Sequence, residues 1–208
     1  MLAFLEKTGG ASERKLRLVG VAACRQIWPL MVDERCRQAV EASEQHAENL
    51  ISQVALDLSS AAAEEAYEDA SVEPETEDHN TAAIVAHAAS YATSPNLGIS
   101  VLDDALWAIL EVSPEGTEGA SLSQANLLRD IFGNPFRSVT LAPQWRTSTV
   151  VAIAQQMYES RDFSAMPILA DALQDAGCDN DDILTHCRDA NGVHVRGCWV
   201  IDLILGKE

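Results

Sequence analysis

Apolar residues recur with the period of an α-helix near the start of the chain. Leu16, Val19, Ala23 and Ile27 follow one another at intervals of three or four positions, with basic side chains between them. This spacing collects the apolar side chains on one face of a helix. Ser12 precedes the pattern and suits the N-cap position. The sequence therefore predicts an amphipathic helix over residues 12–30.

Similar patterns continue along most of the chain. Asp33 suits the N-cap of a second helix ending at Leu50, which would pair with the first as an αα-hairpin. Further helices are predicted over residues 54–67, 81–91, 101–112, 121–132, 149–160, 166–176, 179–188 and 194–205. Apolar and polar residues do not alternate as they do in strands. The predicted fold is all-α, a multi-helix bundle or an array of αα-hairpins with an acidic, partly flexible middle.

Three stretches lack the helical pattern. Residues 64–78 are strongly acidic and contain a proline, so we expect a linker there. Two glycines within residues 115–120 indicate a loop, and two prolines within residues 134–146 indicate an extended connector. With these breaks, the sequence predicts an N-terminal helical module (1–70), an acidic middle segment with a linker (71–132) and a C-terminal helical module (133–208).

Charge is distributed unevenly along the chain. Residues 1–40 carry seven basic and four acidic side chains, whereas residues 41–120 carry seventeen acidic and no basic ones. Residues 121–208 carry seven basic and eleven acidic side chains, and the three sums, +3, −17 and −4, add up to the net −18. Such a field repels nucleic acid backbones and anionic lipids. We therefore expect a protein partner, with a basic surface, and neither direct nucleic acid binding nor membrane binding.

The expected cellular compartment rests on two kinds of segment that the sequence lacks and on its cysteines. No run of about 18 apolar residues is present, and the first ten residues do not resemble a secretory signal. The five cysteines form an odd and sparse set that does not resemble a disulfide framework. The expected compartment is the cytoplasm, with reduced thiols.

Residues with metal-binding side chains concentrate near the C-terminus. They are Cys178, His186, Cys187, His194 and Cys198. On a helix over residues 194–205, His194 and Cys198 would share one face, and Cys178 with His186 or Cys187 could complete a tetrahedral zinc site. The competing interpretation is that the thiols are buried core residues, with no bound cofactor. The nearby acidic run 179–182 lacks the pattern of a calcium loop and suits helix capping.

No catalytic motif is visible in the sequence. It contains no phosphate-binding glycine loop, metalloprotease signature or nucleophile elbow. Cys198 and His194 form the nearest thiol–base pair, but sequence proximity does not establish a nucleophile. The sequence favours a non-enzymatic protein.

The two ends resemble a family of bacterial proteins for which no activity is established. The similarity lies in the opening MLAFLEKTGGASERKLRLVG and in the closing segments LADALQDAGC, HCR and HVRGCWVIDLILGK. The resemblance implies defined modules at both ends and a variable middle, and it implies no cofactor or catalytic residue.

Two functional hypotheses follow. The leading one is a non-enzymatic helical interaction or regulatory module. The alternative is a zinc-stabilised or thiol-dependent protein that uses the C-terminal Cys/His cluster.

Overall fold

A computed structural model describes residues 2–8, 11–72, 77–137, 139–189 and 191–207. Within these ranges all regular structure is helical, which confirms the predicted all-α fold. The α-helices are α1 (Leu2–Thr8), α2 (Glu13–Gln26), α3 (Glu34–Ala47), α4 (Gln53–Val72), α5 (Glu77–Ala92), α6 (Ile99–Val112), α7 (Gly116–Phe132), α8 (Ser148–Ser160), α9 (Met166–Asp175), α10 (Asp181–Arg188) and α11 (Trp199–Leu205). Two short 3₁₀ helices cover Trp28–Leu30 and Pro143–Trp145.

The chain divides into two compact units, Met1–Ala125 and Asn126–Glu208. The three segments predicted from charge and pattern stay a prediction. In the first unit, α2 to α6 pack mainly against their neighbours in the chain, and α5 also contacts α2 and α3. Gly20 of α2 allows a close approach to α5, because a Cβ built on it would lie 3.2 Å from the Cβ of Ala92.

The predicted caps explain why α2 and α3 begin where they do. The Ser12 hydroxyl accepts a hydrogen bond from the Lys15 amide, and the Asp33 carboxylate accepts one from the Arg35 amide. Both interactions satisfy an amide that the first turn of a helix leaves unpaired. Residues 16–24 of α2 are all buried, so burial extends beyond the apolar face that the period predicts.

The first unit also buries a complete guanidinium group. Arg17 is fully buried in α2 and forms a 2.6 Å ion pair with Glu13, one helical turn earlier. It donates two further hydrogen bonds, each 3.0 Å long, to the backbone carbonyls of Ser94 and Pro95. The side chain therefore supplies the donors for the turn between α5 and α6.

The second unit has its own apolar core. Helices α8, α9, α10 and α11 surround it, and its centre includes Val150, Leu169, Ile183 and Ile201, all fully buried. The left-handed backbone of Gly177 follows α9, as predicted for a helix end. Packing on this core positions α10 and α11.

The predicted linker over residues 64–78 is wrong for most of its described part. α4 continues to Val72, and α5 begins at Glu77; residues 73–76 lie outside the described residues. The buried face of α4 extends to Ala66, and Arg35 of α3 forms a 2.8 Å ion pair with Asp69. The helix continues because this face packs on neighbouring helices and alanine has a high helix propensity, whereas the exposed Arg35–Asp69 pair contributes little.

Two other predictions near helix starts are also wrong. The loop expected over residues 115–120 is mostly helical, because α7 begins at Gly116 and its buried stripe starts at Ala120. The helix expected over residues 194–205 begins only at Trp199. Gly197 has a φ of +92°, a left-handed conformation that interrupts a right-handed helix. His194 therefore lies in a loop.

The helices of the described residues are too short or too polar for the hydrocarbon layer of a bilayer. The cytoplasmic location stays a prediction.

Candidate metal centre

Four side chains of the second unit meet at one place. Asp130 lies in the last turn of α7, His186 lies in α10, His194 lies in the loop after α10, and Cys198 is the N-cap residue of α11. One potential ligand atom of each residue lies within 4.8 Å of those of the other three. We call these four residues the metal-ligand group.

Asp130 is at the centre of this arrangement. Its Oδ1 atom lies 2.8 Å from His194 Nδ1 and 3.2 Å from His186 Nε2. The same His186 Nε2 atom is 3.2 Å from the Cys198 Sγ atom. One oxygen, two imidazole nitrogens and one sulfur therefore lie within 4.8 Å of one another.

Local structure explains how these positions are fixed. Asn180 accepts a hydrogen bond from the Ile183 amide and caps α10, while Asp181 and Asp182 occupy its first turn, where acidic residues favour the helix dipole. This confirms the capping role predicted for the acidic run 179–182. The start of α10 is therefore fixed five residues before His186.

Two contacts fix the C-terminal end of α7, where Asp130 lies. The second oxygen of Asp130, Oδ2, accepts a 2.9 Å hydrogen bond from the Val195 amide. Gly133 ends α7 with a φ of +63°, and a Cβ built on it would lie 3.1 Å from the Trp199 ring. A side chain at position 133 would therefore disturb both the helix end and the packing of α11.

Aromatic contacts hold the imidazole rings. The rings of His186 and His194 meet edge to face, with their centroids 4.8 Å apart. The His186 ring also packs against Trp199, with the centroids 5.2 Å apart. His194 Nε2 is buried and has no hydrogen-bond partner within the described part of the chain. It lies close to Gly192, on which a Cβ would be 3.0 Å away, so larger residues there would displace the ring.

The electrostatics differ between the carboxylate and the thiol. Burial acts to raise the pKa of Asp130, but hydrogen bonds from His186 and His194 outweigh it, and the pKa is lowered. Burial and the nearby Asp130 charge raise the pKa of the Cys198 thiol well above its usual value. Asp130 is therefore ionised at neutral pH, whereas Cys198 needs a cation to become a thiolate.

The structure brings together three of the five residues predicted as metal ligands. His186, His194 and Cys198 belong to the metal-ligand group, but Cys178 and Cys187 do not. Those two thiols are buried in the core of the second unit. Burial raises the pKa of Cys187 to about 12, as expected for an inert core thiol.

Asp130, which lies 64 residues before His194, is not among the ligands predicted from the sequence. The sequence did contain a signal, because Asp130 lies three positions after Leu127 and one before Ile131 in a predicted helix. The structure buries both of these apolar residues fully. A carboxylate on the buried face of a helix requires a charged or hydrogen-bonding partner. Its partner could not be identified from spacing, since the fold alone brings α7 to α10.

The arrangement does not match a nucleophilic triad. In a triad, the nucleophile and the carboxylate contact opposite nitrogens of the histidine. Here, Cys198 and Asp130 both approach the Nε2 atom of His186. Cys198 is also fully buried. A cluster of one carboxylate, two imidazoles and one thiol within 4.8 Å contains the ligand types that a metal ion such as zinc can bind.

No family model, curated protein or solved structure matches this chain. The resemblance of its two ends to a bacterial family stays a prediction.

Proposed function

We propose that the second unit, Asn126–Glu208, is a helical module stabilised by one zinc ion bound to Asp130, His186, His194 and Cys198. The observation that carries this proposal is the convergence of their four ligand atoms within 4.8 Å. A thiolate and two imidazoles suit zinc, and a carboxylate oxygen completes a common tetrahedral set.

The role is structural rather than catalytic. A catalytic zinc ion keeps one position open for water or substrate, whereas four protein ligands close the coordination shell. The buried positions of Asp130 and Cys198 agree with a closed site. The thiol-dependent alternative has less support, because a reactive cysteine needs access and a lowered pKa, and the pKa of Cys198 is raised.

A bound ion would also resolve an electrostatic problem. Asp130 is a buried carboxylate, and no lysine or arginine is paired with it among the described residues. Its neighbours are two histidines, which carry a charge only when protonated. A divalent cation would balance Asp130 and a Cys198 thiolate together. Its removal would therefore destabilise α7, α10 and α11 at their common contact.

The test compares two buried cysteines of the same core. We expect native mass spectrometry of the purified full chain to show one zinc ion, lost on denaturation. Cys198→Ala should abolish stoichiometric zinc binding, whereas Cys187→Ala should retain it, because Cys187 is outside the metal-ligand group. Both substitutions remove a buried thiol, so each also carries a similar packing cost of roughly 1–2 kcal/mol.

The stability of the two variants gives a second measurement. A chelator should lower the melting temperature of the parent chain and of Cys187→Ala, and zinc should restore it. Cys198→Ala should not respond to either. A metal-free parent chain whose melting temperature does not change with added zinc would refute the proposal.

The leading hypothesis from the sequence, a non-enzymatic helical interaction or regulatory module, does not depend on the metal and stays a prediction.

A further inference from the structure

An exposed tryptophan stands out on the surface of the first unit. Trp107 of α6 is 60% exposed, whereas Trp28, Trp145 and Trp199 are buried or partly buried. An indole ring has a large apolar area, and leaving it in water is unfavourable. Exposed tryptophans are also among the residues that contribute most to binding at protein interfaces.

Carboxylates lie on either side of Trp107. Asp104 precedes it by three positions and Glu111 follows it by four, so all three residues share one face of α6. Asp104 and Glu111 are exposed, and neither forms an ion pair with a lysine or arginine in the described ranges. This face therefore combines an apolar centre with two uncompensated negative charges.

The face continues onto α5 and α4 through aromatic rings. The charges of Asp104 and Glu111 act on His87 of α5. The His87 ring packs between Tyr67 of α4 and Tyr91 of α5, with centroid distances of 4.7 and 4.5 Å. We call Tyr67, His87, Tyr91, Asp104, Trp107 and Glu111 the aromatic–acidic face.

No lysine or arginine from residues 41–120 neutralises the aromatic–acidic face, because that stretch contains none. Burial lowers the pKa of His87 although Asp104 and Glu111 act in the opposite direction, so His87 is neutral at pH 7. The arginines of the first unit have other partners: Arg14 pairs with Glu48, Arg17 with Glu13, Arg25 with Glu44, and Arg35 with Asp33 and Asp69, while Arg37 donates a hydrogen bond to the Trp28 carbonyl.

We propose that the aromatic–acidic face binds an arginine-rich segment of a partner protein. A guanidinium group stacks on an indole ring and forms two parallel hydrogen bonds with a carboxylate, so arginine matches both elements of the face. A second copy of this chain would bring two acidic faces together and would be repelled. Anionic lipids and nucleic acids would be repelled for the same reason.

The experiment uses the full chain and three fluorescein-labelled peptides of equal length. One contains alternating arginine and glycine, one contains lysine in place of arginine, and one contains citrulline, which keeps the shape of arginine without its charge. Fluorescence anisotropy measures binding at several salt concentrations. We expect the arginine peptide to bind most tightly, the lysine peptide more weakly and the citrulline peptide not at all, with affinity falling as salt increases.

Matched variants locate the binding surface. Trp107→Ala should weaken arginine-peptide binding about tenfold, which is the range for an interface anchor. Leu122→Ala, at a residue of α7 that is 62% exposed, should leave it within about twofold. Circular dichroism checks that both variants remain helical.

A double variant in which both carboxylates of the face are neutralised provides an independent measurement if Trp107→Ala does not fold. Asp104→Asn with Glu111→Gln should weaken binding about tenfold and flatten its salt dependence. Glu65→Gln with Glu118→Gln removes the same number of exposed charges outside the face and should have little effect.

If the two double variants lose the same amount of affinity for the arginine peptide, the attraction comes from the overall negative charge, and the proposal is overturned. Equal binding by the Trp107 and Leu122 variants would overturn it as well. Self-association detected by sedimentation, and abolished by Trp107→Ala, would identify a second copy as the occupant and also overturn it. All of these outcomes are independent of zinc content.

Discussion

The two units bury ionisable side chains beside different kinds of partner. In the first unit, Arg17 is paired with Glu13 and Arg25 with Glu44, so a buried charge meets a fixed opposite charge. In the second unit, the buried Asp130 meets histidines and a thiol, whose charges depend on protonation. The first unit therefore balances these buried charges with its own side chains, whereas the zinc ion that we propose would balance Asp130 in the second unit.

Removing the negative charge of Asp130 should have the largest effect. We expect Asp130→Asn to lower zinc affinity at least about a hundredfold, because an amide neither carries the charge nor ligates zinc well. The free energy of unfolding of the second unit should fall by about 5 kcal/mol or more, since structural zinc binding contributes on the order of 10 kcal/mol in small modules. A competing chromophoric chelator measures the affinity.

Hydrogen exchange distinguishes the two units in the same variant. In Asp130→Asn, the protection of backbone amides against exchange should fall in α10 and α11. In α2 and α3 it should equal that of the parent chain. Asp171→Asn, an exposed carboxylate of α9 paired with Arg188, is the matched control and should change neither property. If Asp130→Asn binds zinc like the parent chain, the contrast between the units is wrong.

A smaller effect is expected from the buried arginine of the first unit. Arg17→Met should lower the free energy of unfolding by about 3 kcal/mol, because it breaks an ion pair and leaves the carbonyls of Ser94 and Pro95 without donors. Urea denaturation measures the change, which should not depend on zinc. Arg129→Met, at an exposed position, should remain within about 0.5 kcal/mol of the parent. A zinc-dependent loss at Arg17 would contradict the comparison.

The smallest effect should come from Glu44. Arg25, its partner, is 29% exposed, and solvent screens the charge that Glu44→Gln would leave unpaired. We expect a loss of about 1 kcal/mol, measured by urea denaturation beside Glu41→Gln, an exposed position of the same helix. A loss as large as that of Arg17→Met would show that breaking the ion pair sets the cost, and that the carbonyls of Ser94 and Pro95 left without donors add little to it.

Local patterns were sufficient to predict most of the helices. Ser12 and Asp33 act as caps because their side chains need only a neighbouring amide. Gly133 and Gly206 end helices because a left-handed residue is a local requirement. These features depend on a few consecutive residues and are therefore visible in the sequence.

The errors arise where tertiary contacts or a single backbone angle decide the structure. α4 continues through an acidic stretch because it packs on its neighbours, which composition does not reveal. The helix predicted from His194 ignored Gly197, whose left-handed backbone delays α11. Asp130 joins the candidate site only because the fold brings α7 beside α10.

The wide separation of Asp130 and His194 along the chain would affect the order of folding if both bind zinc as we propose. Asp130 and His194 are 64 residues apart, and helices α8, α9 and α10 lie between them. An ion joining these residues would close this segment into a loop, as a disulfide does, and a cross-link of this span removes roughly 4 kcal/mol of unfolded-state entropy. Contacts between residues so far apart form late. The ion would therefore bind reversibly, and only after helices α8, α9 and α10 have assembled.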